Sequence, residues 1–164
     1  MMIPERLVNC LKNEITIAVK DYRMKAEGQE DKPVTVYAQH IPNEEFEDDS
    51  YYPLVIPSLQ KVEDAEPVEG TGSTATVGIT FGVYGEDKLA WMDLLSIMER
   101  VRQRLLIFRV LDRRFRLILP VKFETIENQP YPFWFGYGTV TYQIGQPNER
   151  MADNWDRIME EDNR

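Results

Sequence analysis

The chain has 164 residues, a formal net charge of −9 and an isoelectric point near 4.7, so it is the size of one domain and as a whole repels nucleic-acid phosphates. Its single cysteine, Cys10, excludes an intrachain disulfide, and its single histidine, His40, excludes a Cys₂His₂ zinc site. The sequence shows neither a secretory leader nor the roughly 20 apolar residues of a bilayer span. We therefore expect a soluble protein made in a reducing cytoplasm.

The first third of the chain predicts one helix, two strands and two loops. Pro4 suits a first helical turn, and apolar residues then recur at helical spacing, which indicates an amphipathic helix over residues 4–25. Residues 33–40 and 51–57 look like strands, the second at a sheet edge because its prolines cannot donate to a ladder. The acidic stretch 41–50 and the stretch 61–73, which carries Pro and Gly, are predicted to be mobile loops.

The rest of the chain adds a helix between strands. Residues 74–84 alternate apolar and small side chains, as in a strand with one core face. Asp87 is placed to cap a helix over 88–106, and residues 111–114 predict a turn. The apolar face of that helix is predicted to hold Trp91, Leu94, Leu95, Met98, Val101 and Leu105. Strands are predicted over 115–125, where Pro120 requires a bulge, a break or an edge position, and over 135–144.

The predicted order is α-β-β-β-α-β-β, which indicates an α+β fold. We expect a mixed or antiparallel sheet of about four to five strands, with two main helices packed on it, in one domain over residues 1–148. Residues 149–164 form an acidic C-terminal tail in which Met151, Trp155 and Ile158 or Met159 have helical spacing. That tail is either a short helix that docks on a neighbour or a frayed end.

Charge is unevenly distributed along the chain. Residues 27–69 contain twelve acidic residues against Lys32 and Lys61, whereas residues 100–116 contain seven arginines against Asp112. Opposite charges in different segments favour head-to-tail pairing of copies, with a solvated surface as the alternative.

No residue pattern indicates catalysis. Cys10 lies on or beside the apolar face of the first helix and His40 ends a strand, so neither has a partner for nucleophilic chemistry. The acidic run at 44–49 offers oxygens to a divalent cation, but solvation is the usual fate of such a run. We predict a non-enzymatic protein with no catalytic residue, no metal and no cofactor.

The segment QPYPFW, residues 129–134, precedes the last strand. Pro130 and Pro132 keep Tyr131 extended, so the segment is predicted to be a stiff lead-in whose Trp134 covers the sheet or the second helix. Tyr131 is then the best-placed aromatic residue to reach an adjacent subunit. The alternative is a small ligand- or nucleic-acid-binding module that uses Trp134 and Tyr137 as a stacking surface.

The C-terminal half resembles a known family. The runs TVGITFGVYGEDKLAWMDLLSIMERVRQRLL, VLDRRFRLILPVKFE and ENQPYPFWFGYGTVTYQIGQP resemble the tail terminator (tail completion) proteins of long-tailed phages and prophages. The resemblance covers roughly residues 52–148. The acidic tail has no counterpart in the family pattern.

The resemblance implies a virion structural protein. It implies an α+β subunit that forms a homo-oligomeric ring, a hexamer, on the end of the tail tube, where it stops growth of the tube protein and offers a surface to head-completion or connector proteins. The protein would be made in the host cytoplasm and reside in the virion tail, with DNA passing through the ring unbound. The residues predicted at the subunit interface are Arg100, Arg102, Arg104, Arg113, Arg114, Tyr131 and Trp134. The residues predicted to project into the lumen or toward the next ring are Glu44, Glu45, Glu47, Asp48, Asp49, Glu63, Asp64, Glu66 and Glu69.

Overall fold

The structure is a computed structural model that describes residues 2–42, 45–67, 72–148 and 151–163, with the backbone alone for 151–154. It is a mixed α+β fold with a six-stranded sheet. Its helices are α1 (Ile3–Val19), α2 (Ala90–Ile107) and α3 (Met151–Asp162). Its strands are β1 (Thr35–Val36), β2 (Leu54–Asp64), β3 (Ser73–Tyr84), β4 (Val110–Leu111), β5 (Phe115–Thr125) and β6 (Phe133–Ile144).

The strands are ordered β1-β2-β3-β6-β5-β4 across the sheet. The β1–β2 pair is parallel and every other pair is antiparallel. Two long hairpins, β2–β3 and β5–β6, are joined side by side through β3 and β6, whose register runs unbroken from Ser73↔Ile144 to Tyr84↔Phe133. This pairing fixes which side chains of each strand point toward the helices.

The main core lies between one face of the sheet and the helices α1 and α2. The alternation predicted for β3 is confirmed, because Ala75, Val77, Ile79, Phe81 and Val83 are all fully buried in this core. Helix α1 contributes Leu7, Leu11, Ile15 and Val19, which are four residues apart. The apolar face of the sheet and the apolar faces of the helices are buried against each other, and this burial holds the helices on the sheet.

A smaller aromatic cluster covers one end of the opposite face. Tyr52 is fully buried there, with its ring centroid 5.0 Å from that of Phe133 and 5.9 Å from that of Phe135. The ring lies directly on Gly82, where a β-carbon would come within 2.6 Å of it. Gly82 therefore leaves room for the Tyr52 ring, which comes from the segment just before β2 and not from a further helix.

Asp93 joins α2 to the segment that follows α1. Its carboxylate is fully buried and accepts hydrogen bonds from the Tyr22 hydroxyl at 2.6 Å, the Lys25 amide at 2.8 Å and the Ala26 amide at 2.8 Å. A buried carboxylate is tolerated only when donors surround it. Helix α1 ends at Val19, not at residue 25 as predicted, because the chain turns there to bring these donors to Asp93.

The predicted strand 33–40 is reduced to two residues by prolines in its neighbour. The amides of Thr35, Tyr37 and Gln39 do donate to the carbonyls of Pro53, Val55 and Pro57 along β2. Pro53 and Pro57 have no N–H to donate in return, so the ladder is formally complete only at Thr35–Val36.

Strand β2 differs most from the prediction. It lies inside the sheet rather than at an edge, and it continues to Asp64, through part of the predicted loop 61–73. Residues 61–64 pair with residues 73–76 of β3 while their side chains stay exposed, so the sequence there has no apolar period.

Helix α2 is rotated relative to its predicted apolar face. Trp91 and Leu95, predicted in the core, are 45% and 46% exposed, whereas Ile97 is buried. Asp87 does not cap the helix, since the N-cap position is Leu89; its carboxylate instead accepts from the amides of Leu89 and Glu27. In β5, the predicted irregularity at Pro120 is confirmed by a register shift between Ile118 and Lys122.

Replacing Asp93 with Ala should lower the free energy of unfolding by about 3–5 kcal/mol, because the Lys25 and Ala26 amides and the Tyr22 hydroxyl lose their acceptor inside the protein. Tyr22→Phe, which removes one hydrogen bond and keeps the ring, should cost about 1 kcal/mol. Urea unfolding monitored by circular dichroism measures both. Equal midpoints for Asp93→Ala and the native chain would contradict the role given to Asp93.

Alkaline pH should destabilise the fold through its tyrosines. Burial, with a hydrogen bond to Asp93, raises the pKa of Tyr22 from 10.0 to about 12, and burial raises the pKa of Tyr52 to about 12. The unfolded chain loses these protons near pH 10 and the folded chain near pH 12, so their contribution is complete below pH 10 and is lost as pH rises through 12. The urea midpoint should fall over this window, and it should fall less in Tyr22→Phe. Identical pH slopes for the two proteins would refute the assignment.

Candidate subunit interface

An exposed basic and apolar surface lies where α2 ends and the β4–β5 hairpin begins. We name it the arginine edge and define it as residues 107–110 with Arg113, Arg114 and Arg116, all of them exposed. Three of its apolar side chains stand out: Ile107 is 71% exposed, Phe108 46% and Val110 51%. Apolar side chains surrounded by arginines are typical of protein–protein contacts.

Local geometry holds this surface at the outer side of the sheet. Phe108 is the C-cap residue that follows α2, and its ring centre lies 4.0 Å from the Arg104 guanidinium carbon. Asp112 and Arg113 adopt left-handed backbone conformations, with φ of 51° and 53°, and so close the tight turn between β4 and β5. Register then sets Val110 opposite Arg116.

Asp112, the acidic residue in the β4–β5 turn, already has partners within the subunit. Asp112 accepts from Arg6 of α1 at 2.6 Å, and the Arg114 guanidinium lies 3.9 Å from the same carboxylate. Within the described ranges, no ion pair involves Arg109, Arg113 or Arg116. The arginine edge therefore presents positive charge to solvent, ready for an acidic partner.

The arginines predicted within α2 have partners inside the subunit. Arg104 pairs with Glu14 of α1 at 2.8 Å, Arg102 pairs with Glu99 one turn back at 2.7 Å, and Arg100 lies 5.1 Å from the centre of the Tyr22 ring. Arg102 and its neighbouring hydrogen-bond donor Gln103 lower the pKa of Glu99 to about 2. Arg104 therefore stabilises the packing of α2 against α1 and is not simply a surface residue.

The QPYPFW segment packs against the turn that follows β3. The Tyr131 hydroxyl donates to the Glu86 carbonyl at 2.9 Å, and the Trp134 indole donates to the Gly85 carbonyl at 3.1 Å. Trp134 packs on the main core, while Tyr131 is 63% exposed. The segment is thus fixed in place, with one aromatic residue turned outward.

Trp134 and Tyr137 do not form one stacking surface. They are three residues apart in β6, so their side chains lie on opposite faces of the sheet. Trp134 contacts the helix side, whereas Tyr137 follows Phe133 and Phe135 on the side of the Tyr52 cluster.

The two acidic loops lie at opposite ends of β2. Glu45, Glu47, Asp48 and Asp49 precede the strand, and Glu63, Asp64 and Glu66 lie at its end and just beyond. Strand residues 54–62 lie between the two groups and separate them by about 30 Å. Glu44 and Glu69, predicted with them, lie outside the described residues.

At the end of β2, Lys61 pairs with Glu63 at 2.7 Å and Asp64 accepts from the Ser73 hydroxyl. Strand β1 reaches only Leu54 and Val55, so no described strand pairs with the outer side of residues 60–64. We name Glu63, Asp64 and Glu66 the acidic edge. It lies across the sheet from the arginine edge, beyond β3, β6 and β5.

Other candidate groups have ordinary surroundings. Cys10 is half-buried against the main core, and burial raises the pKa of its thiol. Over the described ranges, no three His, Cys, Asp or Glu side chains come together as metal ligands would. No helix in the described part of the chain is long and apolar enough to cross a bilayer.

Sequence reasoning missed the apolar half of the arginine edge. Ile107, Phe108 and Val110 follow directly on an apolar helix face, so they look like core residues. Their one distinguishing signal is position, since Ile107 is the last helical residue and the other two lie between the helix end and the charged turn at 111–114.

No model of a known protein family matches the chain, and no curated protein matches it. One solved structure with a similar fold is described as the virion of a native gene transfer agent particle. The two chains are 14% identical with a TM-score of 0.44, over 84% of this chain and 93% of that one.

Charge reversal should lower the stability of the subunit at an arginine that joins two helices and leave it nearly unchanged at an arginine exposed on the surface. Arg104→Glu places a second carboxylate beside Glu14, where both side chains are about a quarter exposed, and should cost about 1–3 kcal/mol of stability. Arg116→Glu, the matched exposed control, should change stability by no more than about 0.5 kcal/mol. Thermal unfolding of dilute protein measures both. Equal losses in the two variants would contradict this division.

Proposed function

We propose that the chain is a virion structural protein of a long-tailed phage or prophage that forms a ring on the end of the tail tube. In this role the ring ends tube growth and provides the surface on which head-completion proteins attach. The proposal combines the sequence resemblance to tail terminator proteins with the distribution of charge over the folded subunit. A hexamer is the ring size that the resemblance implies.

The observation that carries the proposal is that two unlike edges lie on opposite sides of one sheet. The acidic edge lies on β2 and the arginine edge at β4, about four strand spacings or 19 Å apart. Both are at the same end of the strands, because Ser73 pairs with Ile144 and Gln143 with Arg116. An edge that attracts the opposite edge of another copy makes a heterologous contact, which closes into a ring when the rotation per subunit divides a full turn.

The remaining charge suits a passage for DNA. With a formal charge of −9 and its arginines engaged between subunits, an assembled ring presents mostly acidic surface. Such walls repel phosphates, so DNA passes without being bound.

Self-association is the first test. The full chain should form discrete rings as concentration rises, seen by native mass spectrometry and negative-stain electron microscopy, and higher salt should weaken them because the opposed edges are screened. Arg113→Glu with Arg114→Glu should shift assembly to higher concentration. As a charge-matched control, Lys20→Glu with Arg23→Glu reverses two exposed basic residues elsewhere and should leave assembly unchanged. A chain that stays monomeric at every concentration would contradict the proposal.

Action on tail tubes is the second test. Purified chain added to polymerising tail tube protein of the same phage should bind tube ends and shorten the tubes, in a ratio of one ring per end. Electron microscopy of tube lengths measures this. Tubes of unchanged length with no density at their ends would rule out the terminator role while leaving self-association intact.

A further inference from the structure

Helix α3 displays an apolar face that no described part of its own subunit covers. All of its described side chains, from residue 155 onward, are exposed. Trp155, Ile158 and Met159 occupy one side of the helix at three- and four-residue spacing and are 58%, 47% and 60% exposed. An exposed tryptophan at the centre of such a face is typical of residues that become buried in an interface.

The same helix is acidic. Its described side chains include Asp156, Glu160, Glu161 and Asp162 against the single cation Arg157. A surface that matches it must therefore be apolar at its centre and basic around it. An anionic membrane does not fit this charge.

The arginine edge has that composition. Ile107, Phe108 and Val110 supply exposed apolar area, and they are flanked by arginines that form no ion pair with any described residue. Arg113 and Arg116 add positive charge from the turn and from β5. The two surfaces are complementary in both of the properties that set α3 apart.

The path of the chain leads α3 away from the arginine edge of its own subunit. After β6, the Gln146 side-chain amide donates to the Ala65 carbonyl at 2.9 Å. Ala65 follows β2, on the far side of β3, so the chain crosses the end of the sheet toward the acidic edge. Helix α3 therefore starts on the side of the subunit that faces the arginine edge of the next copy in a head-to-tail ring.

We propose that α3 of one copy packs on the arginine edge of the next, with Trp155, Ile158 and Met159 against Ile107, Phe108 and Val110. This inference deepens the proposed function and rests on its self-association. It makes the acidic tail, which has no counterpart in the family resemblance, the arm that joins neighbouring subunits.

The test uses two full-length variants, each lacking one half of the contact. The acceptor variant carries Trp155→Ala, Ile158→Ala and Met159→Ala, so it keeps the arginine edge and loses the apolar face of α3. The donor variant carries Arg113→Glu, Arg114→Glu and Arg116→Glu, so it keeps α3 and loses the edge. Arg157→Ala, on the opposite side of α3, and the triple reversal Lys20→Glu, Arg23→Glu and Lys88→Glu are the matched controls.

Each variant alone should self-associate at least about tenfold more weakly than the native chain, whereas both controls should assemble normally. Mixed together, the two variants should form one-to-one pairs in sedimentation velocity that grow no further, because each pair contains only one complete contact. Pairs of this kind also show that the contact joins two chains rather than two parts of one chain.

Three results would overturn the inference. Rings formed by the acceptor variant at the native concentration would show that α3 is not needed. Variants that fail to pair on mixing, although both are folded by circular dichroism, would show that α3 and the arginine edge do not meet. If the native chain itself stays monomeric, the proposed function fails and this inference fails with it, which distinguishes that case from the other two.

Discussion

The buried carboxylate of Asp93 is the constraint on which the placement of both helices depends. It must be surrounded by donors, and it finds them in the Tyr22 hydroxyl and the amides of Lys25 and Ala26. This requirement ends α1, turns the chain and sets α1 beside α2 on the same face of the sheet. The Arg104–Glu14 and Arg6–Asp112 pairs then join α1 to the end of α2 and to the β4–β5 turn. The position of the arginine edge therefore depends on the packing of α1 against α2, which Asp93 helps to fix.

The fold places the acidic and basic regions of the sequence on opposite sides of the sheet. In the chain, the acidic and basic regions are separated by a strand and a helix; in the fold, they lie on opposite sides of one sheet and at the same end of its strands. Short outer strands leave both sides accessible, since β1 and β4 have two residues each. A subunit of this kind is suited to repeated head-to-tail contact, which is the property that the proposed ring requires.

Much of this architecture follows from the sequence pattern, and the exceptions have physical causes. Strand β3, helix α2 and the bulge at Pro120 follow from periodicity and from the missing proline N–H. The end of β2 could not be predicted, because the side chains of residues 60–64 are exposed on both faces of the strand and so have no apolar period. Asp93 was missed because a buried carboxylate looks like any other polar residue until its donors are known. Likewise, the partner of Arg104 comes from the packing of α2 against α1 and not from composition.

Amide hydrogen exchange of the native chain, compared below and above its assembly concentration, tests the central claim most directly. The subunit contact described above predicts that assembly slows exchange together in residues 151–162 and in residues 107–116, with little change in the buried amides of β3. Slower exchange confined to other surfaces, with α3 exchanging equally fast in monomer and assembly, would contradict the account.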